Sequence, residues 1–342
     1  MTTETVRLDE FYADLARADL APLWNITEHL LTPQPRPRAV PWLWRGDVLR
    51  PLAERAIELV PVERGGERRV LSLANPGLGG RPYAAGTLWG ALQALGPHES
   101  APAHRHTPGA IRFVLDGRGV FTTVDGDACD MRPGDLVLTP GWAWHDHTNT
   151  GNGPMFWFDG LDLPMIEALD GVFFEEYPAL QQPQQEPHNR SETTHASRGS
   201  RTVPGRSERL DPSPSPLLVY RREDTDADLT RLAGESGAAH VSVEFVNPRS
   251  GASVLPTLAC HMHRVSGDGT ATRQSGNQIF VVYQGAGHSV IAGERFDWAP
   301  GDMFVVPSWL PVSHHAAGAD LFSIDDSPVL RAIGIFRREA VA

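Results

Sequence analysis

The sequence predicts a mainly β protein, built from two jelly-roll β-barrels and preceded by a short helical segment. Two long stretches, 69–177 and 217–342, consist of short apolar runs with glycine and proline between them. Such runs are typical of sandwiches and barrels of short strands. The pattern of the first stretch recurs in the second, and the segments with helical periodicity lie within 1–68. The two β stretches therefore form most of the predicted fold.

Composition sets limits on function before any motif is considered. The chain has 342 residues, of which 41% are hydrophobic, and this is enough for two domains with buried cores. A formal net charge of −12 argues against binding of nucleic acid or of an anionic membrane surface. No apolar run is long enough to span a bilayer, and no secretion signal is recognisable. The two cysteines, Cys129 and Cys260, cannot form a disulfide framework, which favours the cytoplasm.

The helical segment comes first along the chain. Residues 8–31 carry apolar positions at helical spacing and predict a helix, which the proline-rich stretch 32–38 ends. Residues 47–60 predict a second short helix. Both belong to an N-terminal segment and arm, 1–68, and the first barrel follows it.

The stretch 178–216 separates the two predicted barrels. It is polar, rich in proline and nearly free of large apolar side chains. Such a composition buries too little apolar surface to offset the conformational entropy of the chain. It therefore predicts a linker or mobile loop, and the second barrel follows from 217 to 342.

An internal repeat links the two barrels. Gly117 matches Gly285, and the pair Gly134–Asp135 matches Gly301–Asp302 with one residue fewer between them in the second copy. A proline and a tryptophan follow each Gly-Asp pair in the same order. This agreement predicts a duplicated β unit.

Histidines in the first barrel predict a metal site. His104 and His106 alternate along one strand, so both point to the same face, and His145 lies on a neighbouring strand. The two segments resemble the two cupin motifs, although Trp142 stands where a glycine is usual and Ala110 where a glutamate is usual. Three neutral histidines bind a divalent ion and leave positions open for a chelating substrate and dioxygen.

The alternative interpretation makes His104 and His106 ordinary polar residues of a barrel wall. The spacing of His145 within a duplicated unit favours the metal. Because no ligand is anionic, Fe(II) there would keep its double charge and favour a doubly anionic chelator such as an ortho-hydroxybenzoate.

The second barrel has lost the ligands, because the aligned positions are Thr272, Gln274 and Val312. His261 and His263 form another His-x-His pair, but it lies well upstream of the aligned position and is interpreted as part of a strand.

Several longer segments resemble the gentisate 1,2-dioxygenase family. They are FYADLARADLAPLW, GTLWGALQ, APAHRH, WAWHDHTN, FWFDGLDLP and GDMFVVPSWLPVSHHA, and the likeness covers nearly the whole chain apart from the linker. It implies a bicupin, commonly a homotetramer, that uses Fe(II) and dioxygen to cleave the ring of gentisate to maleylpyruvate. Related enzymes act on 1-hydroxy-2-naphthoate or salicylate, and these small aromatic hydroxy acids remain alternative substrates.

The residues and the resemblance together suggest which other side chains line the pocket at the predicted metal site. Arg112 shares the inward face with His106 and could bind a carboxylate bidentately. His147 follows His145 by two residues and could donate to substrate or oxygen. The resemblance adds four candidate residues, Arg68, Trp89, Gln93 and Asp159.

The added candidates also have plain structural interpretations. Arg68 could be an exposed charge in a polar turn, with Arg69 in its place. Trp89 could be a core aromatic, and Asp159 could cap a turn. Ala91 stands where the substrate range of the family responds to the choice between alanine and glycine.

Two other classes of function stay open. A non-catalytic ligand sensor is one, but no helix-turn-helix or basic patch accompanies the barrels. The other is a metal-dependent isomerase or decarboxylase, and such enzymes usually retain the glutamate that is Ala110 here.

Overall fold

The computed structural model describes residues 3–62, 69–195 and 200–341, so the predicted site residue Arg68 lies outside the described residues. The described helices are α1 Thr3–Arg17, α2 Leu23–Leu30, α3 Gly46–Leu59, α4 Leu163–Ala168, α5 Arg190–His195, α6 Arg222–Ser236 and α7 Ser327–Ala332, with a 3₁₀ turn at Pro76–Leu78. None of them is long and apolar enough to cross a membrane.

Strands make up most of the remainder. In chain order they are β1 Trp42–Trp44, β2 Val70–Ser72, β3 Trp89–Leu95, β4 Ser100–His106, β5 Ala110–Asp116, β6 Val120–Val124, β7 Asp127–Asp130, β8 Leu136–Thr139, β9 His145–Asn149, β10 Met155–Leu161, β11 Phe174–Glu176, β12 Thr202–Pro204, β13 Val219–Tyr220, β14 His240–Phe245, β15 Ala259–Val265, β16 Thr272–Gln274, β17 Gln278–Gln284, β18 Gly287–Ile291, β19 Glu294–Trp298, β20 Met303–Val306, β21 Val312–Ala316, β22 Ala319–Asp325 and β23 Arg338–Ala340.

These strands form two jelly rolls, each made of two facing antiparallel sheets. The first combines the sheet β13-β8-β5-β10-β3-β2 with the sheet β11-β4-β9-β6-β7. The second combines β1-β20-β17-β22-β15-β14-β12 with β19-β18-β21-β16-β23. The predicted mainly β fold with two jelly rolls is confirmed, with paired sheets in place of closed barrels.

The two jelly rolls pack back to back. Along β5, Ile111 and Phe113 face the other jelly roll, whereas Arg112 and Val114 point inward, as the alternation of a strand requires. The ring of Phe113 stacks on that of Phe322 in β22, with centroids 4.2 Å apart. One continuous apolar core therefore joins the large sheets of both jelly rolls.

The N-terminal unit, residues 1–36, consists of α1 and α2. The single helix predicted over 8–31 is wrong, because the chain turns between α1 and α2. Asp19 has a left-handed backbone with φ 54°, and Pro22 directly precedes α2. Within the unit, the rings of Phe11 and Trp24 stack with centroids 6.5 Å apart.

The jelly rolls exchange one strand each. β1 pairs with β20 of the second jelly roll, and β13 pairs with β8 of the first. β1 lies before the boundary predicted at 68 but belongs to a sheet of the second jelly roll. β13 lies after the boundary predicted at 216 but belongs to a sheet of the first. The predicted helix at 47–60 is confirmed as α3, whereas α6 was missed, since only Thr225 and Leu229 of its 15 residues are buried.

The repeated Gly-Asp pairs hold the helices that follow the exchanged strands. Oδ1 of Asp302 accepts a hydrogen bond from the backbone N–H of Gly46 (2.6 Å), at the start of α3. Oδ1 of Asp135 accepts one from the backbone N–H of Arg222 (2.9 Å), at the start of α6. A carboxylate at a helix N-terminus satisfies a free N–H and interacts favourably with the helix dipole. The sequence repeat thus marks an architectural contact.

The stretch 178–216 differs from the predicted linker. Gln182 is buried, accepts from the backbone N–H of Gly126 and donates to the carbonyl of Thr123. Further along, β12 pairs with β14, and Arg206 forms an ion pair with Asp325 (2.7 Å). The described parts of the segment, 178–195 and 200–216, are therefore fixed to the jelly rolls by hydrogen bonds and an ion pair, which a scarcity of apolar residues does not exclude.

Candidate metal centre

Three histidines meet on two neighbouring strands of the first jelly roll. His104 and His106 alternate on β4, and His104 lies opposite His145 of β9 in the sheet register. One ring nitrogen from each of the three lies within 4.8 Å of the others. The ring centroids of His104 and His145 are 4.4 Å apart, and those of His106 and His145 are 4.8 Å apart. Imidazoles at such distances can share one ion.

Backbone carbonyls orient each ring. Nδ1 of His104 lies 2.9 Å from the carbonyl oxygen of Pro102, and Nδ1 of His106 lies 2.7 Å from that of Pro108. Nδ1 of His145 lies 3.0 Å from the carbonyl of Ala143. A carbonyl only accepts, so each Nδ1 carries the proton and each Nε2 keeps its lone pair. Metal-bound histidines in proteins commonly donate their other ring N–H to a backbone carbonyl in this way.

His145 has a free ligand atom and a lowered pKa. Its Nε2 is buried and has no hydrogen-bond partner among the described residues. Burial, followed by the charge of Arg112, holds the pKa of His145 well below its usual range. Burial, followed by His104, lowers the pKa of His106 to about 4. Neutral imidazoles with free lone pairs are the form that binds a metal ion.

A strained turn fixes the strand ends that carry the ligands. Trp142 has φ 67°, and its backbone N–H donates to the carbonyl of His106 (2.7 Å). A left-handed backbone explains the usual glycine at this position, and it costs about 1 kcal/mol or more for another residue. The guanidinium of Arg105 lies 4.4 Å from the Trp142 ring and 4.3 Å from that of Trp144, which stabilises this turn.

No carboxylate joins the histidines in the part of the chain that the structure describes. Ala110 is fully buried opposite Thr139 of β8, at the inward position where the first cupin motif usually has its glutamate. The candidate donor set is therefore three imidazoles.

A buried ion pair lies close to the histidines, since, besides burial, the charge of Arg112 lowers the pKa of both His106 and His145. Nε of Arg112 is 3.4 Å from Oδ1 of Asp159, and its Nη1 donates to the hydroxyl of Thr139. The indole N–H of Trp157 donates to the same Asp159 oxygen (3.1 Å). Burial raises the pKa of Asp159 to about 6, although Arg112 opposes this rise. The carboxyl is therefore mostly ionised at pH 7 and keeps Arg112 in place.

His147 lies on the same face of β9 as His145, with ring centroids 6.2 Å apart. Its Nδ1 is 2.8 Å from the hydroxyl oxygen of Thr122, and its ring lies 5.6 Å from that of Trp157. Burial, followed by the charge of Arg112, holds the pKa of His147 well below its usual range. The ring is neutral at pH 7.

The remaining candidates lie on β3 or outside the described residues. Trp89, Ala91 and Gln93 alternate along β3, and Ala91 lies opposite Asp159 in the register. Gln93 is buried, whereas Trp89 is partly exposed. Arg69 is held by Glu99 and by the carbonyl of Ile57, so its guanidinium is engaged at α3.

Three contacts of this site were not predicted. Thr122 contacts His147, and Thr139 contacts Arg112. The alternation of each strand predicts that both threonines point inward, but it does not show which residue each of them contacts. Phe174 lies 5.3 Å from His104, centroid to centroid, because β11 pairs with β4. The sequence carries no signal for that pairing.

The second jelly roll lacks the centre at the aligned positions. Thr272 lies opposite Val312 in the register, as His104 lies opposite His145. The alignment of the repeat is thereby confirmed. His261 and His263 lie on β15, which corresponds to β3 rather than to β4.

Comparisons with known proteins agree with this geometry. A model of the cupin domain matches residues 91–161. A gentisate 1,2-dioxygenase from a Streptomyces species is 46% identical over 350 residues, with 98% of this chain and 96% of that protein covered. The chain belongs to the gentisate 1,2-dioxygenase family.

Other members extend the comparison to solved structures. Gentisate 1,2 dioxygenase 1 from Aquipseudomonas alcaligenes is 37% identical, with 96% of this chain and 95% of that protein covered. Salicylate 1,2-dioxygenase from Pseudoaminobacter salicylatoxidans, solved with gentisate, has a TM-score of 0.91 at 39% identity, with 99% of this chain and 95% of that chain covered. As a member of the gentisate 1,2-dioxygenase family, the protein is a ring-cleaving dioxygenase.

Proposed function

We propose that this enzyme cleaves the ring of gentisate between the carbon that bears the carboxylate and the adjacent carbon that bears a hydroxyl, giving maleylpyruvate. His104, His106 and His145 hold Fe(II). The observation that carries the proposal is the set of three imidazoles, joined by no carboxylate among the described residues, close to the buried cation Arg112.

The donor set fits a ferrous ion. Nε2 of His145 is buried and has no hydrogen-bond partner in the described part of the chain, and all three Nδ1 atoms face carbonyls. Imidazoles suit iron, and a ligand set on one face leaves positions open for substrate and dioxygen. When bound, the iron supplies chelation of the substrate and electron transfer to dioxygen.

The chain's own residues orient the substrate. The guanidinium of Arg112 is charged and buried, and it attracts the substrate carboxylate. His147 receives its orientation from Thr122 and presents a neutral imidazole to the oxygens of the substrate. One carbon–carbon bond of the ring breaks, and both atoms of dioxygen enter the product. No external reductant is consumed.

Salicylate and 1-hydroxy-2-naphthoate are the alternative substrates, and relatives that carry these names support them. Gentisate is favoured because its second hydroxyl, para to the first, makes the ring richer in electrons. Ala91 on β3 and Arg112 on β5 lie on opposite sides of Asp159 in the sheet register. A side chain at position 91 limits the room for larger rings.

Oxygen uptake by the iron-loaded enzyme tests this choice. We expect kcat/KM for gentisate to exceed that for salicylate by at least about a hundredfold, which corresponds to roughly 2.7 kcal/mol. Equal values for the two acids, or a preference for 1-hydroxy-2-naphthoate, would contradict the assignment of gentisate and leave ring cleavage intact.

The assignment includes a homotetramer in the cytoplasm. Exposed apolar side chains of the N-terminal unit, such as Trp24 and Leu31, support assembly. Cys129 and Cys260 are free and buried, in agreement with a reducing compartment. Light scattering after gel filtration tests the assembly, and a monomer would contradict it.

A further inference from the structure

The second jelly roll contains a polar cavity of about 230 Å³ that the proposed reaction does not use. This volume holds several water molecules. The side chains that line it include four histidines and two other polar residues, His240, His261, His263, His314, Gln274 and Arg338. A close-packed apolar interior is the usual content of a jelly roll without a ligand.

The cavity lies where the first jelly roll has its metal centre. Leu321 of β22 is the equivalent of Trp157 of β10 in the duplicated sheet. His263 lies opposite Leu321, and Gln93 lies opposite Trp157, so His263 occupies the position of Gln93. His314 takes the position of His147, and its Nδ1 faces the hydroxyl of Ser289 at 2.8 Å as His147 faces Thr122. The described residues form no second group of metal ligands. The pocket has therefore kept polar walls without the triad.

Gln274 presents a free donor to this cavity. Its Oε1 accepts from Nη2 of Arg206 (3.2 Å), which fixes the orientation of the amide. Its Nε2 is buried and has no hydrogen-bond partner in the described chain. A buried donor without a partner costs about 1–3 kcal/mol. An acceptor on a ligand would remove this cost.

The charges around the cavity favour an anionic ligand. Arg206 and Asp325 neutralise each other at 2.7 Å deep in the cavity wall. Arg338 lies opposite Gln274 in the register of β23 and β16, and forms no ion pair with a described residue. Phe174 has the corresponding place in the first jelly roll, opposite His106. One uncompensated cation at the cavity attracts a monoanion.

The rest of the wall favours an organic ligand. Phe280 lines the cavity, with its ring 4.7 Å from that of His314, and occupies the position of Arg112 in the duplicated sheet. Burial holds the pKa of His314 well below its usual range, so this ring is neutral at pH 7. Flat apolar and neutral aromatic walls suit a ring or alkyl group.

We propose that this cavity is a binding site for a small organic carboxylate, separate from the ring-cleaving centre. The carboxylate accepts from Nε2 of Gln274 and pairs with Arg338, and the apolar part of the ligand lies against Phe280.

Calorimetric titration of the iron-loaded enzyme with benzoate, under anaerobic conditions, tests the site. Gln274→Glu keeps the shape but replaces the free donor with an acceptor, and Arg338→Ala removes the cation. Arg337→Ala is the matched control, since Arg337 is exposed and does not line the cavity. The expected result is one equivalent of benzoate per chain fewer in Gln274→Glu than in the wild type, and at least tenfold weaker binding of that equivalent in Arg338→Ala.

Two further arms identify the chemistry. Benzamide, which has the same shape without charge, and inorganic phosphate should both bind the second site at least tenfold more weakly than benzoate. Ring-cleaving turnover of both variants should stay within about twofold of the wild type, which also shows that they fold.

Equal stoichiometry in Gln274→Glu and the wild type would overturn the proposal, as would equal binding of benzamide or phosphate. Because the test compares the second site between variants, its result does not depend on which acid the metal centre cleaves.

Discussion

The side chains of the candidate site in the first jelly roll differ in what holds them in position. Nδ1 of His104, His106 and His145 each face a backbone carbonyl within three residues, so local chain geometry sets the tautomer of each ring. Arg112, in contrast, depends on Asp159 from a different strand. The ligand rings are therefore fixed locally, whereas the cation beside them is fixed by tertiary structure.

The metal assignment predicts loss of iron from ligand variants. His104→Ala and His145→Ala each remove one of three donors and should retain less than about a tenth of the wild-type iron. His188→Ala, outside the centre, should retain all of it. Elemental analysis after anaerobic reconstitution measures this. Full iron in both ligand variants would contradict the assignment.

The ion pair predicts a pH dependence. Burial raises the pKa of Asp159 to about 6. As the pH falls through this value the carboxyl gains a proton and loses its charge, and the position of Arg112 is no longer held. We expect kcat/KM to fall on the acid side near pH 6 in the wild type.

Asp159→Asn should lack this acid limb and should lower kcat/KM at pH 7 by about 10- to 100-fold, the range expected when a buried charge loses its partner. Glu294→Gln, at an exposed hairpin, serves as the control and should keep the wild-type profile. An acid limb that persists in Asp159→Asn would assign the titration to another group.

At the scale of elements, strand β9, which carries His145, is held by hydrogen bonds from the stretch after β11, although the composition of that stretch predicts a linker. The backbone N–H of Gln182 donates to Asp146 of β9 (3.2 Å). The Gln182 side chain bonds Thr123 of β6 and Gly126 of the β6–β7 turn. Gln181 also donates to Thr148. The stretch after β11 thus contributes to the rigidity of the centre.

Gln182→Ala should lower the free energy of unfolding by about 1–3 kcal/mol, because two buried backbone groups lose their partners. Gln184→Ala, in the same stretch but exposed, should change it by less than about 0.5 kcal/mol. Denaturant unfolding measures both values. Equal effects of the two substitutions would show that the Gln182 side chain does not stabilise the β6–β7 hairpin.

On the scale of the whole molecule, the two jelly rolls share one core and exchange strands. Phe113 and Phe322 stack across the junction. β1 joins a sheet of the second jelly roll, and α3, which follows it, packs on the first. β13 joins a sheet of the first jelly roll, and α6, which follows it, packs on the second. Neither jelly roll can unfold without exposing the large sheet of the other.

Phe322→Ala should therefore destabilise both jelly rolls together, by about 3–5 kcal/mol. Unfolding monitored by tryptophan fluorescence and loss of iron from the first jelly roll should coincide in the variant. Leu169→Ala, at an exposed position, is the control and should have a small effect. Two separate transitions would contradict a shared core.

The sequence by itself determined the duplicated β fold, the alternation that puts His104 and His106 on one face, and the loss of these ligands at Thr272 and Gln274. These features depend on periodicity and spacing, which are local. Tertiary structure alone decided that Phe174 covers His104, that Asp159 holds Arg112, and that β1 and β13 change partners. Each joins residues distant in sequence, and strand pairing between distant segments depends on the packing of the whole sheet, which no short window of residues contains.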